Sequence, residues 1–195
     1  MSTLPYSVTT TATPGQIEII NVALAGLGAQ PISALDDGSN EALLAGIMWD
    51  AAVTEVLRAH PWNFATRRIT LSPLSTQPDH GYNAAFVLPP DCLRLLAVSA
   101  DDYRLESRFL LANATTLQLE YIARIANPEE FDALFQSALS ANLAMKLAYP
   151  LTQSGTQQQF QTQLYADYLR QARTCDALEN PADEFEESRL LLARY

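Results

Sequence analysis

Apolar residues recur every three or four positions in four stretches of the chain, and this spacing predicts four amphipathic helices. The first begins at Thr13-Pro14-Gly15-Gln16, where a threonine cap precedes a proline, and Gly28 is placed to end it. The second begins at Ser39 and runs about five turns to Pro61, because a helix interior excludes proline. The stripes predicted to face the core are Ile17, Ile20, Leu24 and Leu27, then Leu44, Met48, Ala52 and Val56.

The helical spacing returns in the last third of the chain. Asn127-Pro128-Glu129-Glu130 combines a cap, a proline and acidic residues, which predicts the start of a third helix that ends at Tyr149-Pro150. A fourth helix follows and stops before Asn180-Pro181. The predicted buried stripes are Phe131, Leu134, Phe135, Ala138 and Leu139, then Phe160, Leu164, Tyr168 and Cys175.

Between residues 64 and 125 the hydrophobic period changes to two, which predicts β-strands. The clearest alternation is Leu117-Gln118-Leu119-Glu120-Tyr121, and Pro89-Pro90-Asp91 must interrupt the ladder because proline cannot donate a backbone hydrogen bond. The predicted strands are 67–71, 84–88, 93–98, 103–110 and 117–125. Together they should form a small antiparallel sheet or a partial barrel.

This order of elements predicts an α+β, mainly α fold: a four-helix bundle with a small antiparallel β domain inserted between its second and third helices, plus a C-terminal tail. The expected boundaries are a flexible arm at 1–13, a discontinuous bundle at 14–62 and 127–181, a β-rich insert at 63–126 and a tail at 182–195. Prolines stand at both junctions of the insert, so it should project at a fixed angle.

The passage from the second helix to the first strand is the most distinctive part of the sequence. His60-Pro61 forces a corner, and Trp62 and Phe64 are expected to point the same way on an extended backbone into a shared core. The candidate corner residues are His60, Pro61, Trp62, Phe64, Arg67 and Arg68. Their chemistry suggests an architectural role.

Composition narrows the classes of function. The 195 residues carry a formal net charge of −10, which argues against a grip on nucleic acid, since that needs clustered basic side chains. Lys146 is the sole lysine, and the preference for arginine hints at contacts with other chains. Two cysteines fit a reduced compartment, and neither a signal peptide nor a membrane span is recognisable, so synthesis in a cytoplasm is expected.

The candidate catalytic and metal-binding groups have structural interpretations. His60 is read as a cation at a helix end and His80 as a solvent-facing loop residue, because neither accompanies a nucleophile motif. The stretch 36–41 is read as a turn plus a helix cap rather than a calcium loop, and Gly26-Leu27-Gly28 as a helix end. Glu129 and Glu130 are adjacent in one turn and therefore do not face each other across a cleft. No catalytic residue, cofactor or metal site is predicted.

Several segments in order resemble the head-to-tail connector proteins of tailed bacteriophages, the tail tubular protein A family. The matching segments are 19–24, Gly28 with Pro31-Ile32, 58–68 around His60-Pro61-Trp62, 88–94, Tyr121-Ile122, 127–135, 143–152 and 172–181. The resemblance implies a non-enzymatic structural protein of the virion, at the head-tail interface. It implies a homo-oligomeric, dodecameric ring that docks below the portal protein and presents a platform for the next tail component, a nozzle or tail tube protein. Viral DNA would pass through the channel without specific binding, and no membrane and no cofactor would be involved.

The C-terminal tail and the overall function leave alternatives open. Leu190-Leu191-Leu192 would cover too many faces of a helix for one bundle to bury. The tail either docks on the portal or folds back over its own bundle; the candidate docking residues are Phe185, Arg189, Leu190, Leu191, Leu192, Arg194 and Tyr195. The alternative functions are a tail-associated hydrolase acting on host envelope polysaccharide or peptidoglycan, and a cellular helical adaptor.

Overall fold

The computed structural model describes residues 12–76 and 78–179, which contain four α-helices and six β-strands. The helices are α1 (Pro14–Ala25), α2 (Asn40–Ala59), α3 (Ala133–Thr152) and α4 (Gly155–Glu179). The strands lie between α2 and α3: β1 (Thr66–Leu71), β2 (Ala84–Val87), β3 (Cys92–Val98), β4 (Tyr103–Glu106), β5 (Phe109–Ala112) and β6 (Leu117–Ala123). The predicted α+β class, with the strands inserted between the second and third helices, is confirmed.

Two regions named from the sequence fall outside this description. They are the arm at 1–13, except for Ala12 and Thr13, and the tail at 182–195 with its candidate docking residues Phe185, Arg189, Leu190, Leu191, Leu192, Arg194 and Tyr195. Among the described residues, no helix is both long and apolar enough to cross a membrane.

Helix α1 begins and ends where its sequence predicts. The Thr13 hydroxyl accepts a hydrogen bond from the Gln16 amide at 3.3 Å and caps the first turn. At the other end the Ala29 amide donates to the Leu24 carbonyl at 3.0 Å, which closes a turn around Gly28. Gly28 has φ +69°, a conformation that glycine adopts without strain, so the predicted stop is confirmed.

Helix α2 starts from a short network of polar side chains. The Ser39 hydroxyl accepts from the Ala42 amide at 3.1 Å, while Ser39 donates its own amide and hydroxyl to the Asp37 carboxylate. These hydrogen bonds hold the pKa of Asp37 below its ordinary value. The stretch 36–41 is therefore a turn followed by a cap, as predicted. Along α2, Ala52 and Val56 are buried, and Leu44 and Met48 are half-buried.

The strands form two separate three-stranded antiparallel sheets rather than one sheet or a partial barrel. The first has the order β1-β6-β3 and the second has the order β2-β5-β4. Pro89, Pro90 and Asp91 lie between β2 and β3, which belong to different sheets, so the predicted interruption at the prolines is confirmed.

One predicted strand is in fact a hairpin. The stretch 103–110 was expected to be continuous, but the chain reverses at Ser107, whose φ is +54°. Glu106 pairs with Phe109, and Ser107 and Arg108 form the two-residue turn between β4 and β5. The alternation of apolar residues gave no sign of the reversal, because a two-residue turn keeps the period of two.

The start and end predicted for the third helix were both wrong. Asn127 caps only a single 3₁₀ turn, Pro128–Glu130; Phe131 is then extended with its ring buried, and α3 begins at Ala133. Its cap is Asp132, whose carboxylate accepts from the amides of Leu134 and Phe135 at 2.8 and 3.2 Å.

Helix α3 also runs through the proline that was expected to end it. Pro150 cannot donate to the Lys146 carbonyl, but it lies exposed in the last turn, and the helix continues to Thr152. Gln153, at φ +55°, ends it by donating its amide to the Tyr149 carbonyl at 2.9 Å.

The buried face of α4 differs from the predicted stripe. Phe160 and Cys175 are exposed, whereas Gln161, Ala172 and Asp176 are buried. The side-chain amide of Gln161 donates to the Gly26 carbonyl at 2.9 Å, which satisfies a polar group inside the fold. The predicted stripe was wrong because it was chosen from apolar residues, whereas two of the three buried positions are polar.

Helix α3 lies at the centre of the described structure, in contact with each of the other helices. One continuous hydrophobic cluster joins α3 to α1, α2 and both sheets. Its fully buried members include Ile20, Leu57, Phe86, Leu110, Ile122, Phe135, Leu139, Leu143 and Leu147. The closed four-helix bundle and the division into domains stay predictions, while the central position of α3 is observed.

A polar junction connects three helices within this core. Asn142 of α3 is fully buried and donates to the Glu55 carboxylate of α2 at 3.1 Å. Lys146, one turn later, donates to the other Glu55 oxygen at 2.6 Å. Tyr165 of α4 lies beside them, and burial together with the Glu55 charge raises the pKa of its phenol. Polar groups thus occupy one level of the helix packing, where Glu55 accepts from both Asn142 and Lys146 while the buried Asn142 Oδ1 has no hydrogen-bond partner among the described residues.

Candidate functional site: the helix-to-sheet corner

The corner at Pro61 is built by the backbone restrictions of proline. α2 ends at Ala59, and His60 is extended with φ −149° and ψ +153°, as the residue before a proline should be. Pro61 itself is exposed. The chain then makes a 3₁₀ turn, Asn63–Ala65, before β1 begins, so the extended backbone predicted for Trp62 to Phe64 was wrong.

The two aromatic residues of the corner nevertheless enter one shared core, as predicted. Trp62 is 1% exposed, and its ring centroid lies 5.1 Å from that of Phe135 in an edge-to-face arrangement. Phe64 is partly buried and lies 5.0 Å from the same Phe135 ring, which Phe131 also contacts at 4.9 Å. These separations and angles are those that aromatic rings prefer. The cluster fastens the corner to the start of α3.

Side chains from three different elements bind the end of α2. A helix leaves its last four carbonyls without partners inside the helix. The indole Nε1 of Trp62 donates to the Val56 carbonyl at 2.8 Å. Arg94 of β3 donates to the Arg58 carbonyl at 3.3 Å, and Arg173 of α4 donates to the Ala59 carbonyl at 2.6 Å. The direction of α2 is therefore fixed relative to both a sheet and another helix.

Asp176 of α4 completes the corner. Its carboxylate lies 3.1 Å from the His60 Nε2 and accepts from the Asn63 amide at 3.0 Å. The Asn63 side chain donates in return to the Asp176 carbonyl at 2.7 Å. Asp176 is 9% exposed, so water has little access to these hydrogen bonds and cannot easily replace them.

The environment of His60 favours the neutral imidazole. Burial lowers the pKa of His60 below its usual 6.5, although the Asp176 carboxylate opposes the shift, and Arg173 and Arg94 lower it further. His60 lies at the end of α2, as expected, but this shift disfavours the cationic form predicted for it. The ring instead packs edge-to-face on Trp62 at 4.9 Å and contacts Asp176.

The lowered pKa of His60 predicts how stability changes with pH. The unfolded chain binds a proton at His60 more readily than the folded chain does, so this contribution is complete above about pH 6.5 and decreases as the pH falls below it. We expect the difference in unfolding free energy between the native chain and His60→Gln to be larger at pH 7.5 than at pH 5. Urea unfolding of both chains at the two pH values measures it, with His80→Gln, at an exposed loop position, as the matched control. A difference that grows in acid would contradict the expectation.

Arg67 and Arg68 do not join the corner core. They are consecutive residues of β1 and therefore point to opposite faces of its sheet. Arg67 is exposed opposite Tyr121, and the Arg68 Nε pairs with Glu120 at 3.0 Å. The structure thus brings together His60, Trp62 and Phe64 and leaves the two arginines on the sheet beyond them.

Arginine side chains also fasten the β1-β6-β3 sheet to α2 and bind the connection that follows β2. Arg58 donates to the Leu93 carbonyl, and Arg124, which follows β6, donates to Asp50 and to the Thr54 hydroxyl of α2. Arg108 donates to the carbonyls of Leu88 and Pro89. The arginine-rich composition was read as a hint of contacts with other chains, but these side chains make contacts within the chain, through a fork that binds carbonyl and carboxylate oxygens well.

The hydrogen bonds at the corner hold α2, α4 and the 3₁₀ turn before β1 in place. Among the described residues, no hydroxyl or thiol hydrogen-bonds the His60 ring, and no group of three or more His, Cys, Asp and Glu side chains is placed to hold a metal. His80 is exposed in its loop, as predicted, and Glu129 and Glu130 are exposed side by side.

Four residues of the corner were missed from the sequence: Asn63, Arg94, Arg173 and Asp176. Asp176 and Asn63 lie 113 positions apart, and no pattern in one sequence pairs them. Arg173 and Asp176 were missed because hydrophobic periodicity assigns charged residues to the solvent-facing side of a helix.

The family model described as Tail tubular protein matches residues 17–171, which is more than half of the chain and includes the corner from His60 to Arg68. A search of curated proteins found no significant match.

Proposed function

Because the chain belongs to the tail tubular protein family and so has a structural role in a phage tail, we propose that it is one subunit of a head-to-tail adaptor ring. The ring docks below the portal protein, extends the DNA channel and presents a platform for the next tail component. It is a closed homo-oligomer, dodecameric by the family resemblance, and it lies at the head-tail interface of the virion.

The observation that carries this proposal is the fixed geometry of the corner. A subunit that closes a ring must hold its contact surfaces at a constant angle, because heterologous contacts close only if each copy repeats the same rotation. In this chain the end of α2 is bound by Trp62, by Arg94 of a sheet and by Arg173 of α4. Helices and sheets also share one hydrophobic cluster. The proposal is supported by this rigidity together with the family.

The net charge of −10 is consistent with a channel that lets DNA pass. Carboxylates repel the phosphate backbone, whereas clustered basic side chains would bind it through counterion release. We propose that DNA moves through the ring without specific binding. Each of the arginines that fasten the corner donates at least one N–H to a carbonyl oxygen of the same chain.

The test of the proposal is electron microscopy of the protein mixed with its portal. The expected result is an additional ring at the narrow end of the portal. A portal that stays bare at saturating protein, or a collar without this chain in the intact particle, would overturn the proposal.

The tail at 182–195 is proposed to bind the portal, through Phe185, Arg189, Leu190, Leu191, Leu192, Arg194 and Tyr195. We expect a chain ending at Pro181 to remain folded but to lose ring attachment, because large apolar and arginine side chains dominate interface energy. Circular dichroism and the same microscopy assay measure the two properties. A chain lacking residues 1–11 is the matched control of similar length, and unimpaired attachment of the chain ending at Pro181 would rule out docking by the tail.

A further inference from the structure

Three exposed arginines, Arg58, Arg94 and Arg173, form a basic cluster at the end of α2. Arg94 and Arg173 bind two consecutive carbonyls, those of Arg58 and Ala59, and Arg58 binds the carbonyl next to Arg94. Their guanidinium groups therefore lie within one small area of surface. Within residues 12–76 and 78–179, none of the three forms an ion pair with a carboxylate.

The cluster retains unused capacity for anions. A guanidinium carries five N–H donors, and each arginine here gives one to a backbone carbonyl. The remaining donors are in a fork that matches carboxylate oxygens. A concentration of positive charge is unusual in a chain with a net charge of −10, and its exposure leaves it open to an anionic partner.

The chain itself carries a suitable anion a few residues beyond the end of α4. Helix α4 carries Arg173 and ends at Glu179, about 9 Å farther along its axis. Residues 183–187 read Asp-Glu-Phe-Glu-Glu, with four carboxylates and no basic residue. Residues 180–183 can span roughly 13 Å when extended, which is enough to bring the first carboxylate back to Arg173.

We propose that the basic cluster of Arg58, Arg94 and Arg173 binds the acidic segment 183–187 of the same chain before assembly. Single exposed ion pairs are weak, but a tethered segment has an effective concentration in the millimolar range, and several pairs form together. Phosphate groups of DNA would suit the same donors, yet free DNA must approach a chain of net negative charge from solution. The tethered carboxylates therefore have the advantage.

This inference concerns the isolated chain and does not depend on ring formation. Residues 188–195 follow the segment that is proposed to bind the cluster and are not part of this contact. A partner that binds the tail must then compete with the basic cluster for the acidic residues, so release of this contact would accompany docking.

The test is limited proteolysis of the full chain by trypsin, followed at Arg189 by mass spectrometry. Binding of residues 183–187 should slow cleavage at Arg189, because the segment must leave the cluster to enter the protease. We expect Arg58→Gln with Arg94→Gln to speed this cleavage about threefold to tenfold at low salt, and 0.5 M salt to remove the difference. Arg104→Gln, at an exposed ion pair on β4, is the matched control and should leave the rate unchanged.

Two further measurements separate the proposal from its alternatives. Arg94→Lys loses the fork but keeps the positive charge that attracts the four carboxylates, so its cleavage rate should lie closer to the native rate than to that of the double variant. A rate as fast as that of the double variant would assign the effect to a loosened corner and overturn the proposal. Protection that depends on protein concentration would place the acidic segment of a second copy on the cluster. Binding of a DNA duplex that the double variant loses, with cleavage at Arg189 unchanged, would assign the cluster to phosphate. Either result contradicts binding within one chain.

Discussion

Replacing Trp62 with alanine is expected to lower the free energy of unfolding by about 3–5 kcal/mol, the largest effect of any single change at the corner. The indole is 1% exposed and lies in contact with the rings of His60, Phe64 and Phe135, so its removal leaves a cavity between α2 and α3. It also frees the Val56 carbonyl, which loses its Nε1 donor. Urea or guanidinium unfolding measures the change.

Two comparisons show where the effect comes from. Trp49→Ala removes the same side chain from a half-buried position on α2 and should cost clearly less. Trp62→Phe keeps a ring but not the N–H donor, and we expect it to retain most of the packing while losing about 1 kcal/mol for the hydrogen bond. If Trp62→Ala and Trp49→Ala cost the same, the aromatic cluster is not the point that fastens the corner to α3.

Asp176→Ala should cost about 2–3 kcal/mol although it removes only a small side chain. The carboxylate is the acceptor for the Asn63 amide and the partner of the His60 ring, and Asp176 is 9% exposed. Without it, two polar groups lose their partner in a place that water reaches poorly, and the cost of an unsatisfied buried group exceeds the worth of the bond itself. Thermal and denaturant unfolding of the variant measure the loss.

The same helix provides the control for this prediction. Asp167 is exposed and pairs with Arg170 three residues later, so Asp167→Ala should change stability by about 0.5 kcal/mol or less. Asp176→Asn keeps an acceptor oxygen for the Asn63 amide but no charge beside His60, and an intermediate loss is expected. Equal losses at positions 167 and 176 would mean that α4 is not held at the corner by its carboxylate.

The fold could be predicted from the sequence at several positions where a single residue dictates the backbone, although not at Pro150. Pro61 ended α2, Gly28 ended α1, and the hydroxyls of Thr13 and Ser39 began their helices as expected, because these effects act within a few residues. The prediction failed where packing between residues distant in the sequence determines the backbone conformation. Phe131 is buried in an extended conformation, which moved the start of α3 to Ala133.

The candidate site also contains some residues that the sequence could predict and others that it could not. Trp62 and Phe64 could be predicted as core residues because large aromatics beside a forced corner have few other places to lie. Asp176 could not, since a charged residue enters a core only when distant partners receive it, and its partners His60 and Asn63 lie more than 100 positions away in the sequence. The buried face of α4 was misplaced for the same reason, with Gln161 inside and Phe160 outside.

The family assignment favours a structural protein over the alternative of a tail-associated hydrolase. A structural role in a phage tail accounts for a chain whose best-defined polar cluster binds helix ends together. A hydrolase would need an acid and a nucleophile or water facing a bound substrate. Assay of the purified protein on peptidoglycan and on capsule polysaccharide would still separate the two, and turnover abolished by changing one acid would favour the enzyme.

The buried amide of Asn142 restricts how the helices can slide past one another. If α3 moved by one turn in one direction, the ammonium group of Lys146 would enter the fully buried position; in the other, Ala138 would take the place of Asn142, Asn142 would take that of Lys146, and the Glu55 carboxylate would lose its ammonium partner. Both alternatives are costly, as for a lone asparagine in a coiled coil, so the helices have one low-energy register. All copies of this chain should therefore adopt the same conformation, which a repeating assembly requires of its subunits.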